Sequence, residues 1–128
     1  MESFYSIHTS EEFKYRVFLN HSNSDLSKKF TEIHRNSKLK NKFVLIIEAI
    51  KQNVANSTQW NFELKTPDGD VYAIKIEQHR FYTLVKKVNG YRELFICRYG
   101  KKESQTNSKK LTNTIESIAK LEIETLLK

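Results

Sequence analysis

One cysteine, one proline, one tryptophan, one methionine and three glycines stand among 128 residues. A single thiol, Cys97, excludes an internal disulfide and with it the stapled scaffolds of small secreted domains. So few glycines and prolines exclude fibrous repeats and low-complexity tracts. No apolar run is longer than Phe43 to Ile47, far short of the roughly 18 residues that a membrane-spanning helix needs. The N-terminal MESFYSIHTSEEF carries an acid at position 2 and no apolar stretch, so we expect no secretory leader and a cytoplasmic protein. Acids are scarce as well: 15 Asp and Glu against 22 Lys and Arg leave a net charge of +7, and no pair of carboxylates has a convincing acid–base spacing. His8, His21, His34 and His79 are scattered, and none is spaced with Cys97 as a zinc set. We therefore expect neither a metal nor a small-molecule cofactor. No Gly-rich phosphate loop, helix-turn-helix signal or internal repeat is present.

What is there suffices for one folded domain. Fifteen aromatics and a 38% hydrophobic content argue against disorder, and a chain of this length can bury a core unaided. Residues 1–12 are polar around Phe4, Tyr5 and Ile7, and read as an N-terminal arm, either flexible or added as an edge strand. Residues 13–128 read as the domain proper. Phe13, Tyr15, Val17 and Leu19 alternate on one face, which predicts a strand. Ser22 followed by Asp25 has the pattern of a capping box opening a short helix with Leu26, Phe30 and Ile33 on one face. Asn36-Ser37 breaks it. A second helix carries Leu39, Phe43, Ile46, Ile47, Ile50 and Val54 as an apolar stripe, read as core or partner interface. Trp60, Phe62 and Leu64 alternate, Pro67-Asp68-Gly69 makes a turn, and Tyr72, Ile74 and Ile76 share a strand face that Lys75 does not. A last helix is expected from near Leu111, with Ile115, Ile118, Ile123 and Leu126 on one side.

The chemistry concentrates between Lys75 and Lys110. That stretch holds ten Lys and Arg against Glu77, Glu93 and Glu103, a local excess equal to the net charge of the whole chain. Basic residues interleaved with Tyr82, Tyr91 and Tyr99 point to a polyanion, RNA before DNA. Asn89-Gly90 between two alternating runs predicts a two-residue type I′ hairpin. Counting outward from Val88 opposite Tyr91 places Tyr82 opposite Cys97 and Arg80 opposite Tyr99. One face then holds Phe81, Thr83, Val85, Leu94 and Ile96, capped by Arg98, and reads as core. The other holds Arg80, Tyr82, Lys86, Phe95, Cys97 and Tyr99, and reads as a basic-aromatic working surface. Lys86-Lys87 read as solvated edge charges, and Lys101-Lys102 either as the same or as RNA or ribosome contacts. His79 is either a general base or an exposed turn residue, and Cys97 a packed strand residue.

The order of elements, with Tyr72-Ala73-Ile74-Lys75-Ile76, Arg80-Phe81-Tyr82, Tyr99-Gly100-Lys101-Lys102 and Ser104-Gln105-Thr106-Asn107-Ser108 in succession, resembles the RelE/ParE toxin superfamily, and within it the HigB-like, phage-derived branch of toxin–antitoxin systems. Departures stand inside the motifs: Ala73 where the family has an acid, Lys75 where it has Arg, Ser108 where it has Pro. The resemblance implies an α+β fold with two N-terminal helices packed on a small antiparallel sheet and a C-terminal helix. It implies a toxin that cuts ribosome-bound mRNA without a metal, inhibiting translation, with a cognate antitoxin protein, the ribosome and mRNA as partners and no membrane. In that reaction the RNA 2′-hydroxyl attacks the adjacent phosphate, which calls for a base, cations for the phosphorane and an acid for the leaving oxygen. Lys75, Arg80, Tyr82 and Tyr99 are the catalytic candidates; His79, Arg98, Lys101 and Lys102 are the RNA-binding candidates. The alternatives are a ParE-like inhibitor of gyrase and a non-catalytic nucleic-acid-binding module.

Overall fold

The computed structural model describes residues 1–103 and 108–126. Strands β1 (Glu2–Ser10) and β2 (Tyr15–Asn20) come first, then helices α1 (Ser24–Arg35) and α2 (Ser37–Lys51). Four strands follow: β3 (Trp60–Thr66), β4 (Gly69–Ile76), β5 (His79–Val88) and β6 (Tyr91–Lys101). Helix α3 (Lys109–Ser117), a 3-10 turn (Ile118–Lys120) and β7 (Ile123–Leu126) complete the order. All seven strands join one sheet in the order β3-β4-β5-β6-β2-β1-β7. Most neighbours are antiparallel, but β2 runs parallel to β6 and β7 parallel to β1.

This overturns the expected architecture of two N-terminal helices on a small antiparallel sheet with a C-terminal helix. The helices follow two strands, the sheet is large and mixed, and α3 gives way to a further strand. The segment read as an arm is mostly β1, which lies between β2 and β7. Its residues feed both sides of the sheet: Phe4 belongs to one core, Tyr5 and Ile7 pack on the other. A strand covered on both faces lacks the polar–apolar alternation that would announce it. At the other end, Ile123 and Leu126 stand three apart like helix residues, yet they pair with β1.

Two cores result. Helices α1 and α2 cover one face with Leu26, Ile33, Phe43, Ile46 and Ile50 against Tyr15, Val17, Ile74, Phe81, Leu94 and Ile96. Helix α3 and the 3-10 turn after it cover the opposite face with Leu111, Ile115 and Ile118 against Phe18, Val71, Tyr82, Leu84, Phe95 and Cys97. Gly100 leaves room for α3 to approach the sheet, since a Cβ there would stand 2.5 Å from Leu111 Cδ2. The surface expected to be basic and aromatic is therefore largely this second core.

Local chemistry sets the helix ends. The cap of α1 is Asn23, whose Oδ1 accepts from Leu26 N at 2.9 Å; Ser22, expected in that place, accepts instead from Ser3 N at 2.8 Å. Asn36 ends α1 by donating its N–H to Ile33 O and opens α2 by accepting from Lys38 N and Leu39 N. Arg92 reaches the C-terminal end of α2, donating to the Ile50 carbonyl and to Asn53 Oδ1, as a cation at that end of the dipole should. At the hairpin tip, Asn89 (φ 52°) and Gly90 (φ 83°) both take positive φ, as a type I′ turn requires. Among the described residues, no helix is long and apolar enough to cross a membrane.

Candidate nucleic-acid interface

The hairpin register holds as expected from Val88–Tyr91 to Thr83–Ile96, then shifts. Cys97 is the extra residue, so Tyr82 pairs with Arg98, Phe81 with Tyr99 and Arg80 with Gly100. A bulge of this kind reverses the facing of every residue beyond it. Tyr99 therefore leaves the Tyr82 side and packs with Phe81, their ring centroids 5.5 Å apart. Arg98 moves the other way and stands beside Tyr82.

The bulge also brings the side chains of two candidates, His79 and Tyr99, together. His79 Nδ1 lies 2.6 Å from the Tyr99 hydroxyl oxygen. Lys101 is opposite His79 in the ladder, and the Lys29 ammonium of α1 lies 5.9 Å from the Tyr99 ring centroid. Burial holds the His79 imidazole below its ordinary value, Glu77 pulls it back up, and Lys101, Lys29 and Arg80 push it further down. At neutral pH the ring is thus uncharged. Tyr99 has its phenol pushed up by burial and then by Asp25 and Glu32, so it keeps its proton.

This pair lies beside a groove between α1 and α3, over the end of β6 that extends past β2. One hollow of about 570 Å³ is lined by Asp25, Lys29, Tyr99, Lys101, Glu103 and Lys110, among others. An adjoining hollow of about 650 Å³ shares Asp25, Tyr99 and Lys110 and adds Arg98, Lys109 and Asn113. Among the described residues, Lys101, Lys109 and Lys110 form no ion pair. Arg98 is committed elsewhere: its Nη1 and Nη2 donate to the two carboxylate oxygens of Glu2 at 2.7 and 2.8 Å.

The other candidates do not converge here. Lys75 and Arg80 face each other across β4 and β5 on the α3 side of the sheet. Lys75 Nζ donates to Ser57 O at 3.2 Å, and Arg80 Nη1 donates to Glu77 O and His79 O at 2.7 and 3.0 Å. Tyr82 is 1% exposed, and burial pushes its phenol up to about 12. Lys102 is half-buried and donates its backbone N–H to Gln78 O. Cys97 is sealed in the α3-side core, where burial pushes its thiol up to about 12, so it is no nucleophile at neutral pH. Of the motif at 104–108, residues 104–107 lie outside the described residues, and Ser108 caps α3 by accepting from Leu111 N at 3.2 Å.

Reading the sequence missed Lys29 and Asp25. Their spacing of four puts them on one helix face, but no sequence signal says that this face overlooks β6. Among the described residues, no cluster of three or more His, Cys, Asp and Glu side chains is placed to hold a metal ion. Comparison with known proteins gives no match: no family model, no curated protein and no solved structure matches the chain.

Proposed function

We propose that the protein is a metal-independent endoribonuclease that takes single-stranded RNA along the groove between α1 and α3. The observation that carries this reading is the 2.6 Å hydrogen bond between His79 and Tyr99, set among Lys29, Lys101 and the rim lysines Lys109 and Lys110. In the tautomer with its proton on Nδ1, His79 donates to the Tyr99 oxygen and keeps a lone pair on Nε2. That nitrogen takes the proton of the RNA 2′-hydroxyl. Lys29 and Lys101 offset the charge of the phosphorane, and the Lys101 ammonium supplies a proton to the leaving 5′-oxygen. The products are a 2′,3′-cyclic phosphate and a free 5′-hydroxyl. Tyr99 orients the imidazole. The resemblance to RelE/ParE toxins adds the rest: mRNA on the ribosome as substrate, a cognate antitoxin that silences the groove, and the cytoplasm as the place of action. Those additions rest on that resemblance alone.

A second reading, a non-catalytic RNA-binding module, is favoured by one observation. Lys75 and Arg80, the cations expected on the phosphate, are tied to backbone carbonyls on the opposite face. The test is a cell-free translation reaction with the purified protein, followed by primer extension on the mRNA, with and without ribosomes. Cuts are expected with translating ribosomes, reduced by about 100-fold or more in His79→Phe while its circular dichroism stays that of the parent. Intact mRNA from folded parent protein defeats the nuclease reading, and undiminished RNA affinity in His79→Phe then supports the binding module.

A further inference from the structure

The groove beside Tyr99 is not uniformly cationic. Asp25, on the first turn of α1, lines both of its hollows, as Tyr99, Lys110 and Thr114 also do. It therefore stands where the two meet. Glu103, the other acid of the lining, borders only one of them.

The Asp25 side chain is exposed and, among the described residues, has no hydrogen-bond or ion-pair partner. Lys29, one turn further along the helix, takes Glu32 at 3.5 Å instead. Both carboxylate oxygens of Asp25 are thus open to a donor from outside. The Asp25 charge reaches Tyr99: after burial it is the largest cause that holds that phenol up. Tyr99 in turn meets His79 Nδ1 at 2.6 Å, so Asp25 stands near the group assigned to take the 2′-hydroxyl proton. An acid in the first turn also favours the helix itself, a role indifferent to what enters the groove.

With RNA in the groove, the reading on which this assignment rests, phosphates are drawn to Lys29, Lys101, Lys109 and Lys110 and repelled by Asp25. The part of a nucleotide that can lie against Asp25 is its base, offering hydrogen-bond donors. Single-stranded RNA is commonly read in this way, on the Watson–Crick edges of unstacked bases. Those edges differ. Guanine presents two adjacent donors, N1–H and the N2 amino group, which match the two oxygens of a carboxylate. Uracil presents N3–H alone, flanked by two carbonyl oxygens that repel a carboxylate. Adenine and cytosine each present one amino group beside a ring nitrogen whose lone pair repels it too.

We propose that Asp25 is the base-specificity residue of this groove and selects guanine at the nucleotide beside the cleaved bond, its two carboxylate oxygens accepting from N1–H and the N2 amino group.

The test measures binding alone. Labelled five-nucleotide oligomers of uridine carry guanosine, inosine, adenosine, cytidine or uridine at the centre, with 2′-fluoro sugars that remove the attacking hydroxyl. Fluorescence anisotropy gives the affinity of each. The guanosine oligomer is expected to bind about tenfold more tightly than the other four. Inosine is the sharpest comparison, since it lacks only the N2 amino group. In Asp25→Asn the preference should be lost and adenosine should exceed guanosine, because a carboxamide accepts from N6–H and donates to N1. A role confined to the helix would leave the ratios among the five as they are in the parent. Five equal affinities in the parent, inosine bound as tightly as guanosine, or a guanosine preference that survives in Asp25→Asn would each overturn the assignment. If the five bind equally and their affinity still falls steeply with salt, the groove keeps its RNA and the assignment to Asp25 alone fails. If none binds, the groove reading fails with it.

Discussion

Tyr82 and Tyr99 are seventeen positions apart, and one inserted residue between them decides what each can do. Counting outward from Asn89-Gly90 puts both on one face, and the ladder obeys that count as far as Thr83–Ile96. Nothing in ELFICRYG marks Cys97 as the residue that bulges, because a small buried side chain fits a regular strand as well. The turn was thus legible, while the His79–Tyr99 partnership that follows from the bulge was not. The same shift separates the candidates chemically. Tyr82 is sealed against α3 and its phenol, pushed up to about 12, stays neutral at any ordinary pH; its place is in the core. Tyr82→Phe should therefore leave RNA cleavage within about twofold of the parent, whereas Tyr82→Ala should destabilise the fold by about 3–5 kcal/mol. Urea denaturation beside the primer-extension assay checks both. A Tyr82→Phe protein that is folded but inactive would return Tyr82 to the reaction.

The helix pair was the most legible part of the fold, because apolar residues three and four apart leave little alternative and Asn36 can both stop one helix and start the next. The outer strands were the least legible. Strand β1 is covered on both sides, and β7 is four residues long, so each depends on partners far away in sequence. What ties β1 in is a side-chain contact as much as the ladder. Glu2 accepts both Arg98 Nη donors and also Asn20 Nδ2 at 2.6 Å, joining the first strand to β6 beyond the reach of β2. The hydrogen bond from Arg98 is the main reason the Glu2 carboxyl sits below its ordinary value of 4.5; partial burial opposes it, and Asn20 and the Arg98 charge add to it. A carboxylate lowered in the folded state adds stability that is fully present above the unfolded value and is lost as pH falls through the folded one. Glu2→Gln should cost about 1–2 kcal/mol at pH 7, and the difference from the parent should shrink as pH drops below 4.5. Urea midpoints at pH 7 and pH 3 check this. An equal gap at both would mean that packing of the side chain, and not its charge, holds β1.

Over the whole molecule the excess of seven positive charges is unevenly employed. Arg16, Lys42, Lys51 and Arg98 sit in ion pairs with Glu93, Glu77, Glu48 and Glu2, which neutralises them toward a polyanion. Lys101, Lys109 and Lys110 have no such partner among the described residues, and Lys29 has only the exposed Glu32 at 3.5 Å, a contact of little energetic weight. These four converge on the groove beside Tyr99. Binding of single-stranded RNA through about four phosphate contacts should follow salt with a log–log slope of about −3, so that affinity falls about 60-fold between 50 and 200 mM salt. Lys109→Ala/Lys110→Ala should flatten that slope by about 1.4. Lys86→Ala/Lys87→Ala, at the far end of β5 from His79, should leave it unchanged, since those lysines belong to the hairpin tip. Fluorescence anisotropy with a labelled oligonucleotide across the salt series measures all three slopes. If the hairpin pair flattens the slope and the groove pair does not, the polyanion lies along the hairpin and the groove loses its claim to the substrate, because a cleft that does not collect the phosphate backbone cannot present a 2′-hydroxyl to His79.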